Sequence, residues 1–180
     1  MSIQNFKDQL PVIGQRVYLH DTTVVIGQVQ NADDVALRPY VVARGDVNSI
    51  RIGARTNIQD LTMLHVSHDG PYSVGGFPLV IGEEVTVGHK CLLHACQIGN
   101  RCLIGMGAIV MDGAVIEDEV LLGAGSLVSP GKRLVSGYLY RGNPLKQIRE
   151  LRAEEREMLR YSAGHYVRLK DTYLAGAAAE

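Results

Sequence analysis

Three histidines, His65, His89 and His94, lie within one short stretch of a 180-residue chain that has six. A neutral imidazole offers one nitrogen lone pair near physiological pH. Three of them can hold a divalent ion at roughly 2.0–2.1 Å and leave a fourth position open, where the ion lowers the pKa of water toward about 7. A lone histidine is more often a hydrogen-bonded surface residue, so the question is whether the chain brings these three together.

The elements that must position them show in a repeat. An aliphatic residue followed by a small or polar one recurs at Ile81-Gly82, Val87-Gly88, Leu93-His94, Ile98-Gly99, Ile104-Gly105, Val110-Met111, Ile116-Glu117, Leu122-Gly123 and Val128-Ser129. The step is six throughout, apart from five between Leu93 and Ile98. The same phase appears upstream at Ile52-Gly53, Ile58-Gln59 and Leu64-His65, with Ile26-Gly27 as an earlier rung, whereas residues 31–45 hold no clean register. Six fits neither a helix nor simple strand alternation. It fits a short strand plus a turn, three of which close one triangular coil, and stacked coils bury the aliphatic column. The expected fold is an all-β solenoid, a left-handed parallel β-helix over about 12–135. Leu64 and Ile81 are 17 residues apart, one hexad plus 11, so residues 68–79 (HDGPYSVGGFPL) should form a loop thrown off a corner.

Counting slots around the triangle places Leu93 one coil beyond Leu64 once that loop is removed. His65 and His94 each follow that slot by one and should stack on one wall, with strands about 4.8 Å apart. His89 follows Val87 by two and belongs to another wall or corner. It does not readily join the other two in its own chain, but could do so from a neighbour if walls pack around a three-fold axis. His20, His68 and His165 have no such relation and read as surface or hydrogen-bonded residues.

Past Pro130 the repeat stops. Gly142-Asn143-Pro144 precedes a charged stretch whose apolar residues, Leu151, Met158, Leu159, Tyr166, Val167 and Leu169, predict a C-terminal α-helical tail over about 144–174, with a break at Gly164 and a frayed end at residues 175–180. The whole reads as a single domain, 1–180. Net charge is −1, which gives no reason to expect nucleic acid. No signal-peptide pattern and no membrane-length apolar run is present, so a cytoplasmic protein is expected. Cys91, Cys96 and Cys102 form neither a disulfide framework nor a CxxC metal pair and should fill core or wall positions. The Arg44-Gly45-Asp46 tripeptide, in a chain with no export signal, does not read as an adhesion motif.

Arg44-Gly45-Asp46, Asn57-Ile58-Gln59-Asp60, Leu64-His65, Val87-Gly88-His89 and Leu93-His94 together resemble the signature of γ-class carbonic anhydrases, and the resemblance extends through Gly142-Asn143-Pro144 into the tail. It implies a homotrimer with a metal at each subunit interface: zinc (Zn2+), or Fe2+ or Co2+ in its place, held by His65 and His94 of one subunit and His89 of the next. It further implies that Gln59 orients water at the metal, that Arg44 and Asp60 form an ion pair across the interface, and that Asp46 joins the same polar network. The implied reaction is reversible hydration of carbon dioxide to bicarbonate.

Two departures bear on that reaction. Active archetypes of the family carry a glutamate directly after the Arg-Gly-Asp-like stretch, where this chain has Val47, and a glutamate-bearing acidic loop, where 68–79 has only Asp69. A proton must leave the metal-bound water in every turnover, so metal binding is the firmer expectation and rapid hydration the weaker. Tyr161 and Ser162 fall where the tail approaches the site in such relatives. Three other functions compete: a metal-dependent acyl-CoA thioester hydrolase, a hexapeptide acyltransferase, which has no need of three converging histidines, and a non-catalytic metal-binding protein.

Overall fold

A computed structural model describes residues 1–177. The chain is a left-handed parallel β-helix with one C-terminal helix. Each hexad gives a two- or three-residue strand and a turn, as at Thr86–Val87, Leu92–His94 and Leu103–Ile104. The leading aliphatic residue points inward, and Ile81, Val87, Leu93, Ile98, Ile104, Val110, Ile116 and Leu122 are all buried. The residue two places before it is buried as well, at Val85, Cys91, Cys96, Cys102, Ala108 and Ala114. The cysteines are therefore core residues with free thiols. Burial pushes the Cys91 thiol up to about 11 and Cys102 up to about 12, so neither is a ready nucleophile.

Each corner turns through a left-handed residue. Glu84, Lys90 and Arg101 do so at φ of 57°, 58° and 52°, although the region disfavours side chains. Bonds between coils hold them there: Lys90 N–H donates to the Asp60 carbonyl at 2.9 Å, and Arg101 N–H to Glu83 at 2.9 Å. Where a glycine follows the aliphatic residue, it answers a different need. A Cβ on Gly105 would lie 2.4 Å from the Ala124 backbone nitrogen one coil on, so only hydrogen fits there.

Strands of successive coils pair in parallel and build three walls. One runs through Val42–Ile52, Met63–His65, Leu92–His94 and Ile109–Val110; a second through Leu79–Ile81, Gln97–Ile98 and Val115–Ile116; a third through Ala36–Leu37, Asn57–Ile58, Thr86–Val87 and Leu103–Ile104. The first two merge because Val24–Asn31 and Val42–Ile52 run unbroken through a corner. Residues 31–45 do hold the six-residue register, through Asn31, Leu37 and Ala43, but a buried asparagine and an alanine in inward slots hide it in the sequence; the inward residue before them is Val25, not Ile26. The 11-residue excess leaves as a loop whose neck is closed by two bonds between Ser67 and Phe77, of 3.0 and 3.1 Å. Leu79, placed in the loop by the spacing, belongs instead to the following strand.

The tail departs from expectation. Residues 146–150 are not helical: Lys146–Glu150 is a strand, antiparallel to Tyr138–Arg141. It covers the last strand of the third wall, an edge that would otherwise offer unpaired backbone groups. The helix starts at Ala153 and runs unbroken through Gly164 to Ala177. A mid-helix glycine costs about 1 kcal/mol relative to alanine, and the contacts of buried Leu159, Ala163 and Lys170 outweigh that cost. The expected fraying at 175–180 concerns in part residues 178–180, outside the described residues. The helix lies on the third wall, fastened by the buried Lys170 ammonium on Asp34 at 2.8 Å. Among the described residues no helix is long and apolar enough to cross a membrane.

Candidate functional site

The parallel register puts His94 directly beside His65. His65 Nδ1 lies 3.0 Å from His94 Nε2, with ring centroids 5.1 Å apart. A carboxylate flanks each end of the pair: Asp112 Oδ1 is 2.6 Å from His94 Nδ1, and Asp46 Oδ1 is 3.2 Å from His65 Nε2. Asp46 also receives the Arg44 guanidinium. It reaches the histidines because the strand Val42–Ile52 bulges between Gly45 and Ile50, where its register against Val24–Asn31 shifts. The bulge is tied to the loop neck by Asn48 Nδ2 donating to the Ser67 carbonyl at 3.2 Å.

Protons are short in this row. Two neutral imidazoles carry two N–H groups, and the three contacts Asp46–His65, His65–His94 and His94–Asp112 would need three. With Asp46 and Asp112 each taking one N–H, His65 Nδ1 and His94 Nε2 face each other with lone pairs and no proton between them, the state a metal-ligating nitrogen must have. Burial pushes the His65 pKa below its ordinary value, opposed by the hydrogen bond to Asp46 and assisted by the charge of Arg44, so the neutral ring is favoured. Burial pushes Asp46 upward, but the hydrogen bonds from Arg44 and His65 outweigh it, and its carboxyl titrates below the usual range.

His89 lies elsewhere, at the end of the strand Thr86–Val87 on the third wall. Its Nδ1 is 2.9 Å from Asp60 Oδ2, and nearly half of its side chain is exposed. It lines a cavity of about 200 Å³ with Tyr18, His20, Arg38, Gln59 and Asp60. Gln59 is 5 % exposed and fixed from behind by a polar ladder. Its Nε2 donates to Asn57 Oδ1 at 3.3 Å, Asn57 Nδ2 donates to Thr86 Oγ1 at 3.1 Å, and Thr86 Oγ1 meets Ser162 Oγ of the helix at 3.0 Å.

The chain thus carries two separate polar groups: Arg44, Asp46, His65 and His94 on one wall, Gln59, Asp60 and His89 on another. Among the described residues, no group of three or more His, Cys, Asp or Glu is arranged to hold a metal within one chain. Within the protomer Arg44 pairs with Asp46, and Asp60 with His89. Ser162 reaches Gln59 through the ladder, while Tyr161 stands exposed and stacks on His165. His20, expected as an ordinary hydrogen-bonded residue, does bond Thr22 Oγ1 at 2.9 Å, yet it lines the cavity. The sequence reading missed Asp112 and Arg38. Asp112 was detectable, for one coil here is 17 residues, Leu93 to Val110, which places Asp112 one position past the slot beside His94. Arg38 carried no signal, because its surroundings are assembled by the distant helix.

The donor chemistry of these imidazoles suits a divalent metal. Asp112 on His94 Nδ1 and Asp60 on His89 Nδ1 each leave Nε2 as the ligating nitrogen, the arrangement in which a carboxylate orients a metal-binding imidazole.

The bacterial transferase hexapeptide (six repeats) model matches residues 95–130. The chain is 60% identical to Protein YrdA of Escherichia coli strain K12, over 96% of this chain and 94% of that protein. It is 38% identical to mitochondrial gamma carbonic anhydrase 2 of Arabidopsis thaliana, over 93% of this chain and 60% of that longer protein. Its structure superposes on a hexapeptide transferase family protein from Anaplasma phagocytophilum with a TM-score of 0.88 at 38% identity, covering 96% of this chain and 98% of that one. With its coils, its stacked histidine pair and these relatives, the chain belongs to the hexapeptide-repeat family of the γ-class carbonic anhydrases.

Proposed function

We propose that the protein is a metal-dependent hydratase of γ-carbonic-anhydrase type, interconverting carbon dioxide and bicarbonate as a homotrimer. The observation that carries this reading is the division of the site: two touching imidazoles on one wall and a third, matched by its own carboxylate, presented half-exposed on another. A neighbouring subunit that lays its His89 against His65 and His94 completes a three-nitrogen set. Zinc is the expected ion, with Fe2+ or Co2+ able to use the same donors. When bound, the metal supplies a Lewis acid and an open position at which water is activated.

The chain's own residues supply the rest. Asp112 and Asp60 hold the tautomers of His94 and His89, so their Nε2 lone pairs face outward. Asp46 and Arg44 hold His65 in its plane. Gln59 is set against rotation by Asn57, Thr86 and Ser162, and its amide can orient a small polar substrate. Val47, nearly half exposed, stands beside Asp46 and carries no proton-transfer group. Turnover then depends on solvent or buffer to remove protons.

An acyltransferase reading is supported by the transferase designations of the matching repeat model and of the solved relative. A single experiment decides between them. Protein purified without oxygen is assayed for metal per subunit, carbon dioxide hydration, acyl-CoA hydrolysis and acyl transfer. Chelator-sensitive hydration is the expected result; acyl transfer that survives the chelator would overturn the hydratase reading.

A further inference from the structure

Arg38 is 6 % exposed, and one terminal nitrogen of its guanidinium is buried without a hydrogen-bond partner. Lys170, equally withdrawn from solvent, has Asp34 and Asp171. Among the described residues no carboxylate lies within ion-pair distance of Arg38. The Tyr18 and Tyr173 rings flank it, 5.4 and 4.9 Å from its central carbon. Ring faces attract the charge, but they leave the planar N–H fork unmet. A buried, unpaired guanidinium is strongly unfavourable on its own.

The same group lines the cavity that holds Gln59 and His89. Asp60, the carboxylate of that cavity, is turned to His89 at 2.9 Å. Gln59 uses one Nε2 proton on Asn57 and has a second for another acceptor. Tyr18 lines the same cavity. Arg38, Gln59 and Tyr18 therefore line a space of about 200 Å³, large enough only for a small ligand.

We propose that this cavity binds a small planar oxyanion, of carboxylate or bicarbonate class, with Arg38 as its principal contact. Two parallel N–H groups match two oxygens on one carbon, which a spherical halide does not offer. That the physiological anion is bicarbonate rests on the hydratase reading; the anion site itself does not. The same chemistry could come from a carboxylate side chain of a neighbouring copy, and the test separates the two.

Metal-free full-length protein is titrated with sodium bicarbonate and sodium acetate, with sodium chloride at equal ionic strength as control, and followed by calorimetry, thermal melting and sedimentation. Wild type should show saturable binding and a rise in melting temperature with bicarbonate and acetate but not with chloride. Arg38→Met should weaken binding about tenfold or more, melt above wild type in anion-free buffer, and sediment as wild type does. Arg38→Lys, which keeps the charge but loses the fork, should bind the carboxylates more weakly than wild type, and it carries the test if the methionine variant fails to fold. Equal responses to acetate and chloride, or unchanged binding in the variants, would overturn the proposal. So would dissociation of the assembly by Arg38→Met with no anion response in wild type, which would assign the fork to a partner's carboxylate. Hydration is read separately on metal-loaded wild type: its absence with anion binding intact removes the hydratase reading and leaves the anion site standing.

Discussion

Asp112 stands one coil beyond His94 and accepts its Nδ1 proton at 2.6 Å, so the ring presents Nε2 toward His65. The two positions are joined by the stacking of the β-helix rather than by local sequence. The residue that orients the His94 ring is thus supplied by the next turn of the β-helix.

Asp112→Asn should keep the fold and lower metal affinity about 10- to 100-fold, because an amide oxygen holds the Nδ1–H tautomer less firmly than a carboxylate. Metal titration against a chelator of known affinity measures it. Unchanged affinity would mean that Asp112 only solvates the corner.

His65→Ala, His89→Ala and His94→Ala should each lose most bound metal. The split site adds a stronger test. Chains bearing His89→Ala and chains bearing His94→Ala, each metal-poor alone, should regain metal when co-assembled, because some interfaces then combine an intact pair with an intact His89. If full metal occupancy persists in His89→Ala alone, two histidines of one chain suffice and the shared-site model fails. In the same model Arg44→Ala should weaken the trimer, read as dissociation on dilution.

Hydration should be slow in dilute buffer and should rise with imidazole concentration, since Val47 and the loop 68–78 carry no glutamate to export the proton. Val47→Glu should raise the rate in weak buffer more than in strong buffer. A wild-type rate that is fast and indifferent to buffer would show that another group carries the proton.

The helix should be the acid-sensitive part of the fold. Asp34 sits between Arg16 at 2.7 Å and Lys170 at 2.8 Å, and the Arg16 hydrogen bond leads in holding its carboxyl down at about 2. A depressed carboxylate contributes stability that is present above its unfolded value, near 4, and lost as pH falls toward 2. Loss of helical signal across that window, ahead of the β-helix, is expected. Asp34→Ala should destabilise by up to about 3 kcal/mol at neutral pH by leaving buried Lys170 with exposed Asp171 alone. Lys170→Met should be far milder. Equal losses in the two variants would show that the ion pair is not what holds the helix.

Much of this molecule was legible in a period of six. Ile81, Val87 and Leu93 announce the inward column, and counting around the triangle sufficed to set His94 against His65, because a solenoid converts sequence distance into spatial distance by a fixed rule. That rule gave way where the chain left it. The strand Val42–Ile52 passes through a corner and bulges, so nothing in the spacing brings Asp46 to His65. Lys146–Glu150 has the charge pattern of a helix, yet pairs as a strand because the last coil offers it a backbone edge. Gly164 does not break the helix, since Leu159, Ala163 and Lys170 hold both sides of it to the wall. Arg38 owes its burial to Tyr173, 135 residues away by number, a contact that exists only after the helix has docked. Local periodicity determined the coils and the histidine pair; the bulge, the capping strand and the buried guanidinium were decided by long-range packing, which acts between surfaces and leaves no period in the sequence.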